Sequence, residues 1–259
     1  MLTIKRTVFS IFVLSLSAQT VFADSGYSLG AEYSEGDYGT GETVSSLYVP
    51  FGWHYSGGDF SASVIVPYLY VEGSSQLTFD GRPLAPSGMG GGGGGSTTTT
   101  RTDSGLGDIV MSGSYQLLSE SGSRPWLAAT AKVKFGTADE IKGLGTGEND
   151  YTIQVEAAKG VLYGYVGYKL LGDAATVDYN DVSFVGAALT LPLGEKLDLG
   201  VEYYTEEASL VAMDDIQEAT LSVGGELSGG VGYSLYYVSG LSDSSADSVI
   251  GINFRTALK

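Results

Sequence analysis

One histidine and no cysteine limit the chemistry that this 259-residue chain could carry out. Without cysteine there is no disulfide framework, no thiolate metal site and no cysteine nucleophile. The lone His54 excludes zinc or iron centres built from several histidines. A hydrolase that acts on lipid would need His54 as a base beside a serine. His54, however, falls on the polar face of the segment 43–55, whereas a lipid substrate would lie against the apolar face. We therefore expect no enzyme activity, no metal site and no cofactor.

Acidic side chains dominate the charge. The chain has 13 Lys and Arg against 30 Asp and Glu, for a formal net charge of -17, while 43% of its residues are hydrophobic. Because it has no basic runs, we expect no nucleic-acid partner. The 39 glycines and 18 tyrosines favour many short strands over helices.

Residues 1–23 have the layout of a secretory signal peptide. Lys5 and Arg6 form a charged start, and 8–16 is an apolar run that is too short to span a bilayer. Ala23 supplies a small residue before Asp24, the predicted first residue of the mature chain. The alternative, a retained anchoring helix, is disfavoured because no basic residues follow to stop transfer. Residues 24–259 are predicted to form a single domain.

Period-two alternation recurs along that domain. In 44–55, Leu47, Phe51 and Trp53 share one face, while Ser46 and His54 share the other. The same test gives twelve segments, each about long enough for a tilted membrane strand. They are 26–35, 43–55, 59–71, 107–118, 125–135, 150–158, 161–171, 181–191, 196–205, 216–227, 230–239 and 247–257.

The connections between these segments alternate between short and long. Strict alternation is typical of an outer-membrane barrel with tight periplasmic turns and long external loops. A soluble β-sandwich, the alternative, has no reason to sort its loops in this way. We predict an all-β fold, a closed antiparallel transmembrane β-barrel of about 12 strands in the Gram-negative outer membrane. Its longest connection, 72–106, contains a glycine and threonine run and is predicted to be a flexible extracellular loop.

With the apolar face toward lipid, the ionisable and amide side chains of the strands face the lumen. A Lys or Arg facing lipid near the midplane would cost about 2–4 kcal/mol, and this cost keeps such side chains on the lumen face. These side chains could line a pore that binds solute, or pair with one another and plug a narrow barrel. The predicted lumen residues are Glu32, His54, Lys132, Lys134, Gln154, Glu156, Lys169, Asp198, Glu202, Glu218 and Arg255.

Pro50 and Pro67 interrupt two neighbouring predicted strands. A ladder position cannot hold Pro without losing a hydrogen bond, so a bulge or a local opening is expected there. A harmless bulge is one interpretation. The other is a weakened seam through which an apolar solute leaves sideways into lipid.

Four stretches of the sequence resemble a known family. They are Ser-Gly-Leu-Gly-Asp at 104–108, Lys-Phe-Gly-Thr-Ala at 134–138, Leu-Gly-Thr-Gly-Glu-Asn-Asp-Tyr at 144–151 and Gly-Tyr-Lys-Leu-Leu-Gly-Asp at 167–173. They resemble the outer-membrane transporter family named after the meta-pathway of phenol degradation. The resemblance implies a barrel that passes small, often hydrophobic or aromatic, molecules, and it carries over no site residue. The family usually has Pro where this chain has Gly136, so we expect a different loop geometry there.

The function that follows from these patterns is passive diffusion of small molecules, hydrophobic or aromatic ones among them. The alternative is a structural or adhesin-like barrel that acts through its acidic external loops. The expected partners are outer-membrane lipid and lipopolysaccharide, a small-molecule solute and the barrel-assembly machinery. Many such barrels end in an aromatic residue that this machinery recognises, whereas this chain ends in Leu258 and Lys259.

Overall fold

The structure, a computed structural model, describes residues 24–38, 41–73, 76–79, 82–86, 101–173, 178–194, 196–211 and 213–258. The predicted signal peptide lies outside this part of the chain, as do residues 87–100 of the predicted long loop. One short 3-10 helix lies at Glu140–Lys142, and within the described ranges no helix has the length and hydropathy needed to cross a bilayer. The strands are β1 (Asp24–Gly36), β2 (Val44–Gly57), β3 (Phe60–Gly73), β4 (Gln76–Phe79), β5 (Arg82–Pro86), β6 (Arg101–Leu106), β7 (Ile109–Leu118), β8 (Trp126–Phe135), β9 (Asp150–Lys159), β10 (Leu162–Leu170), β11 (Val182–Leu193), β12 (Leu197–Glu206), β13 (Ile216–Glu226), β14 (Val231–Gly240) and β15 (Ser248–Leu258).

Antiparallel pairing between neighbours closes these strands into a barrel. The first strand, β1, pairs with β2 on one side and with β15 on the other, where Ser25 lies opposite Leu258. β6 pairs with the external half of β3 and β7 with its periplasmic half, so the two form one barrel strand. β4 and β5 pair only with each other, as a separate hairpin. The other 13 strands form one sheet, and because β6 and β7 count as one, the closed barrel has 12 strands. The predicted fold is confirmed.

The fourth barrel strand differs from its predicted range of 107–118. Its pairing with β3 already begins at Arg101, and Gly107 and Asp108 separate β6 from β7. Residues 101–106 lack apolar alternation, so period two could not reveal them. The β4–β5 hairpin and β6 therefore both fall within the connection that was predicted as a flexible loop.

Exposure alternates along the strands as a membrane barrel requires. Leu29 and Phe51 are 53% and 50% exposed on the outside, whereas the inward-facing Ser34 and Ser46 are each 2% exposed. Those two serines hydrogen-bond each other inside the barrel, with 2.7 Å between their hydroxyl oxygens. A continuous band of Leu, Ile, Val and Tyr on the outside is stable against lipid, and closure satisfies the backbone groups that lipid cannot.

Part of the barrel interior is apolar. In the external half of β3, Leu69 and Val71 face inward and are buried, while Tyr68 and Tyr70 face outward. The inward pair belongs to a set that we call the apolar cluster, which lies toward the external end of the barrel. Its members are Tyr38, Val44, Leu69, Val71, Leu144, Tyr236, Val238, Ala246 and Val249. Where these residues meet, mainly apolar side chains occupy positions that the sequence analysis expected to be polar.

The two strand prolines lie opposite each other in the β2–β3 pair. The β1–β2 ladder is interrupted beside Pro50, at 30–31 and 49–50. On the other side of β3, residues 66–67 face the three residues 107–109, which makes a bulge with one extra residue. The Gly107 amide still donates to the Pro67 carbonyl, with 2.9 Å between the atoms. The bulge expected at these prolines is present.

Candidate functional site

Three neighbouring rows of inward-facing side chains cross β8, β9, β10, β11 and β12, and we call this surface the aromatic wall. Each row joins residues that lie directly opposite one another in adjacent strands. The rows are Trp126, Ala158, Tyr163, Ala188 and Glu202; Ala128, Glu156, Tyr165, Gly186 and Tyr204; and Thr130, Gln154, Gly167, Phe184 and Glu206.

Two glycines of this wall make room for aromatic rings. A Cβ atom at Gly186 would overlap the Tyr165 ring, and one at Gly167 would overlap the Phe184 ring. Each ring therefore lies flat over the backbone of the adjacent strand. The centroids of Tyr165 and Phe184 are 6.2 Å apart, and those of Tyr165 and Tyr204 are 6.3 Å apart. The result is a continuous aromatic lining.

Hydroxyl groups hold the carboxylates of the wall. The Tyr165 hydroxyl donates to Glu202 Oε1 at 2.6 Å. Glu156 accepts from the Tyr163 hydroxyl at 2.8 Å and from Thr130 Oγ1 at 2.6 Å. Glu156 is 1% exposed, and both of these hydroxyl donors are uncharged.

The combination of tyrosine, glycine and glutamate on three successive strands recurs where the barrel closes. Tyr236 of β14 lies over Gly251 of β15, where a Cβ atom would overlap its ring. Its hydroxyl donates to Glu32 Oε2 of β1 at 2.6 Å. A flat ring over glycine thus reaches a carboxylate two strands away in both places.

Two interior cations have close partners at opposite ends of the barrel. Toward the external end, Lys169 Nζ lies 2.6 Å from Glu206 Oε2 and 5.5 Å from the centre of the Phe184 ring. Toward the periplasmic end, Arg255 Nε donates to His54 Nε2 at 2.9 Å.

A buried lysine joins the external connections. Lys134 Nζ lies 2.9 Å from Asp108 Oδ2, 3.0 Å from Asp150 Oδ2 and 3.1 Å from Thr146 Oγ1, and we call these four residues the Lys134 cluster. Asp108 also accepts from the amides of residues 137 and 138, and Asp150 accepts from the Gly172 amide. Three connections are thereby tied to one ammonium group.

Tyr179 lies in the external connection after β10 and is buried. Burial raises the pKa of its phenol, and the nearby Lys134 ammonium partly opposes that rise. The phenol therefore stays protonated and neutral beside the Lys134 cluster.

Gly136 departs from the family pattern for a reason visible in this loop. A Cβ atom there would overlap the Gly147 carbonyl, and the Gly136 amide donates to Asn149 Oδ1 at 3.0 Å. Proline would lose that hydrogen bond and add a ring to a contact with no room for it.

The structure distributes the eleven predicted lumen residues over several places. Gln154, Glu156 and Glu202 meet on the aromatic wall, with Lys169 beside it, whereas the others lie apart. Glu32, His54, Lys134, Gln154, Glu156, Glu202 and Glu218 are buried, and Lys132, Lys169, Asp198 and Arg255 are half-buried. Their role in binding solute stays a prediction. Among the described residues, no group of His, Asp and Glu is placed to hold a metal ion.

The sequence analysis did not single out the inward-facing aromatic residues, because it took the apolar face of each strand as the lipid face. The sequence does contain a signal for two of them. Tyr163 and Tyr165 lie an even number of positions from Lys169, so they share its face of the strand, which is the lumen face. The sequence analysis also passed over Gly26-x-Ser28-x-Gly30, a spacing that hydrolases use at a strand-to-helix turn. Here Ser28 lies within β1 instead.

The closed barrel, its apolar outer surface and its charged, aromatic interior define a transmembrane β-barrel of the outer membrane. The family model described as "Putative MetA-pathway of phenol degradation" matches residues 19–228, and the chain belongs to that family. No curated protein matches the chain in sequence.

A solved outer-membrane channel shows the same architecture. The COG4313 outer membrane channel from Pseudomonas putida F1 aligns with a TM-score of 0.73 and 11% identity, covering 96% of this chain and 100% of that one. The translocator domain of the autotransporter NalP from Neisseria meningitidis gives a TM-score of 0.47 and 10% identity, over 93% of this chain and 89% of that one. At this level of identity, the channel structure supports the fold.

Proposed function

We propose that this protein is an outer-membrane channel for passive diffusion of small molecules, with hydrophobic and aromatic solutes among them. The observation that carries the proposal is the division of the barrel interior. One side presents the apolar cluster toward the external end, and the other presents the aromatic wall with its carboxylates. A solute with an apolar body and a polar group would find complementary surfaces on both sides.

The contacts inside the barrel favour passive diffusion over energy-coupled transport. The interior contacts are side-chain hydrogen bonds, ion pairs and ring contacts between strands of one barrel. Passive entry needs no cofactor and no moving domain. The mixed interior also reduces the preference for strongly hydrated solutes that an entirely polar lumen would have.

Conductance of the purified, folded protein in planar bilayers tests the proposal. We expect channel events, together with flux of small solutes into liposomes that contain the protein. A folded protein that shows neither would contradict the channel and favour the structural or adhesin-like alternative. In that case, deletion of acidic residues from the external loops should change cell attachment or envelope integrity.

The seam at Pro50 and Pro67 is a separate part of the proposal. It is supported by the interrupted β1–β2 ladder and by the bulge opposite Pro67. Replacing both prolines with valine would allow the ladders to become regular, and we expect uptake of apolar solutes to fall while uptake of polar solutes is retained. If the replacement changed neither the uptake of apolar solutes nor that of polar solutes, the seam would be contradicted and the channel proposal would stand.

A further inference from the structure

From the aromatic wall we infer a binding site for small organic ammonium ions, formed around Gln154 and Glu156 and lined by Tyr163, Tyr165 and Glu202. This inference rests on the proposed channel function only for how a ligand reaches the site. The binding chemistry follows from the wall itself.

The first observation is the carboxylate of Glu156. It is 1% exposed, and its hydrogen-bond donors are the hydroxyls of Thr130 and Tyr163. A carboxylate has about four lone-pair sites, so two neutral donors leave acceptor capacity unused. In a desolvated environment this negative charge attracts a cation more strongly than it would in water.

The second observation is independent of the acidic groups. Gln154 is 3% exposed, and both its amide oxygen and its amide nitrogen lack a hydrogen-bond partner in the described part of the protein. Such a group costs stability unless something else satisfies it. Gln154 precedes Glu156 by two residues on the same face of β9, a spacing of about 7 Å. An ammonium group near both would donate to the amide oxygen and to the carboxylate.

The aromatic rings supply the remaining recognition. Tyr165 lies directly opposite Glu156, and the Phe184 ring covers Gly167, which lies opposite Gln154. Lys169 Nζ already lies 5.5 Å from the centre of the Phe184 ring, which shows that this ring accepts a cation at its face. Since Glu206 neutralises Lys169, that lysine does not repel a second cation from the wall.

The charge of the interior favours the same class of ligand. Along the described strands, eight buried or half-buried inward-facing carboxylates accompany four buried or half-buried inward-facing cations. The acids are Glu32, Asp103, Asp150, Glu156, Asp198, Glu202, Glu206 and Glu218, and the bases are Lys132, Lys134, Lys169 and Arg255. This excess of acid over base raises the local concentration of organic cations inside the barrel.

Isothermal titration of the folded protein in detergent micelles tests the site without requiring conduction. The probe is benzylammonium chloride, and benzyl alcohol is its uncharged match in size and shape. We expect benzylammonium to bind at least about tenfold more tightly, since a hydrogen bond to a charged group is worth more than a neutral one. Equal affinity for the two probes would overturn the inference.

Substitutions locate the site within the wall. Glu156→Gln retains the hydrogen-bond acceptor but removes the charge, and should weaken benzylammonium binding about tenfold. Glu226→Gln is the matched control, because Glu226 is exposed at the end of β13, and it should leave the affinity unchanged. Equal affinities of wild type and Glu156→Gln would also overturn the site.

Gln154→Leu separates binding from folding. A structural glutamine would lose stability on replacement, whereas removal of an amide without a partner should leave the unfolding midpoint unchanged or raised. We expect this variant to remain folded and to bind benzylammonium more weakly than wild type. A variant with a lowered midpoint and unchanged affinity would contradict the assignment.

The titration and the conductance measurement test the two proposals separately. Binding of benzylammonium without conductance would refute the channel alone, and conductance without binding would refute the site alone.

Discussion

Tyr236 donates a hydrogen bond to Glu32 across the closure of the barrel, at 2.6 Å between the hydroxyl and Oε2. The two residues lie on β14 and β1, and the ring passes over Gly251 of the strand between them. Both side chains are buried. This contact spans three strands. It therefore holds the two ends of the sheet together in addition to the backbone hydrogen bonds between β1 and β15.

Removing this hydroxyl should weaken the closure. Tyr236→Phe keeps the ring over Gly251 but takes away the donor to buried Glu32, and we expect a loss of about 1–3 kcal/mol in the free energy of unfolding. Urea unfolding in micelles measures it. Tyr237→Phe, on the outward-facing neighbour that is 48% exposed, is the control and should unfold like wild type. Equal midpoints for the two variants would show that the hydroxyl bond adds nothing.

A methyl group at Gly186 should displace the Tyr165 ring. Gly186→Ala puts a Cβ atom where the ring lies, so the bond from Tyr165 to Glu202 is strained or lost. We expect destabilisation of about 1–3 kcal/mol, seen as a lower temperature for the shift in heat-modifiable gel mobility. Gly164→Ala is the matched control, because the nearest atom to its Cβ is 3.5 Å away. A shift of the same size in both variants would refute the role of the ring contact.

Neutralising Lys134 should loosen the external connections. Lys134→Met leaves Asp108 and Asp150 buried without their shared ammonium, and losing one member of a buried ion pair costs about 3–5 kcal/mol. We expect faster amide hydrogen exchange at residues 137, 138 and 172, whose amides donate to these two carboxylates.

Lys142→Met serves as the control for that experiment. The Lys142 side chain is exposed and donates to the Ser104 carbonyl at 3.3 Å. Its loss should leave exchange at the three amides unchanged. Unaltered exchange in Lys134→Met would mean that the Lys134 cluster does not fix these connections.

Restoring the family proline should disrupt the loop. Gly136→Pro removes the amide that donates to Asn149 and crowds the Gly147 carbonyl. We expect proteolytic cleavage between 136 and 149 to become faster than in wild type, while the barrel strands stay protected. Cleavage at the wild-type rate would show that the loop accommodates the ring.

Period-two alternation, together with the alternation of short and long connections, was sufficient to predict the barrel, because burial follows the lipid face of the alternating strands. It also placed Glu156 and Gln154 on the inner parity. It could not reveal β6, whose residues Arg101 to Leu106 do not alternate. Nor could it assemble the Lys134 cluster, because Asp108, Lys134 and Asp150 belong to three separate segments that meet only in the closed barrel.

The interior aromatic residues show a different limit. The rings of Tyr165 and Phe184 lie flat against the inner wall because Gly186 and Gly167 stand opposite them. Strand propensity favours tyrosine on either face, so composition alone does not decide its direction. The shared parity with Lys169 gives the direction of Tyr165, whereas the register that sets each ring over a glycine is a property of the folded sheet.

The pairing of β1 with β15 also determines how the barrel can assemble. It brings Ser25 beside Leu258, and contacts of such high sequence separation are slow to form because the loop-closure entropy opposes them. Before closure, β1 and β15 would each present an open edge that is able to pair with another molecule. The interval before closure is therefore the stage most exposed to misassembly between chains, and a partner that shields these two edges would raise the yield of folded barrel.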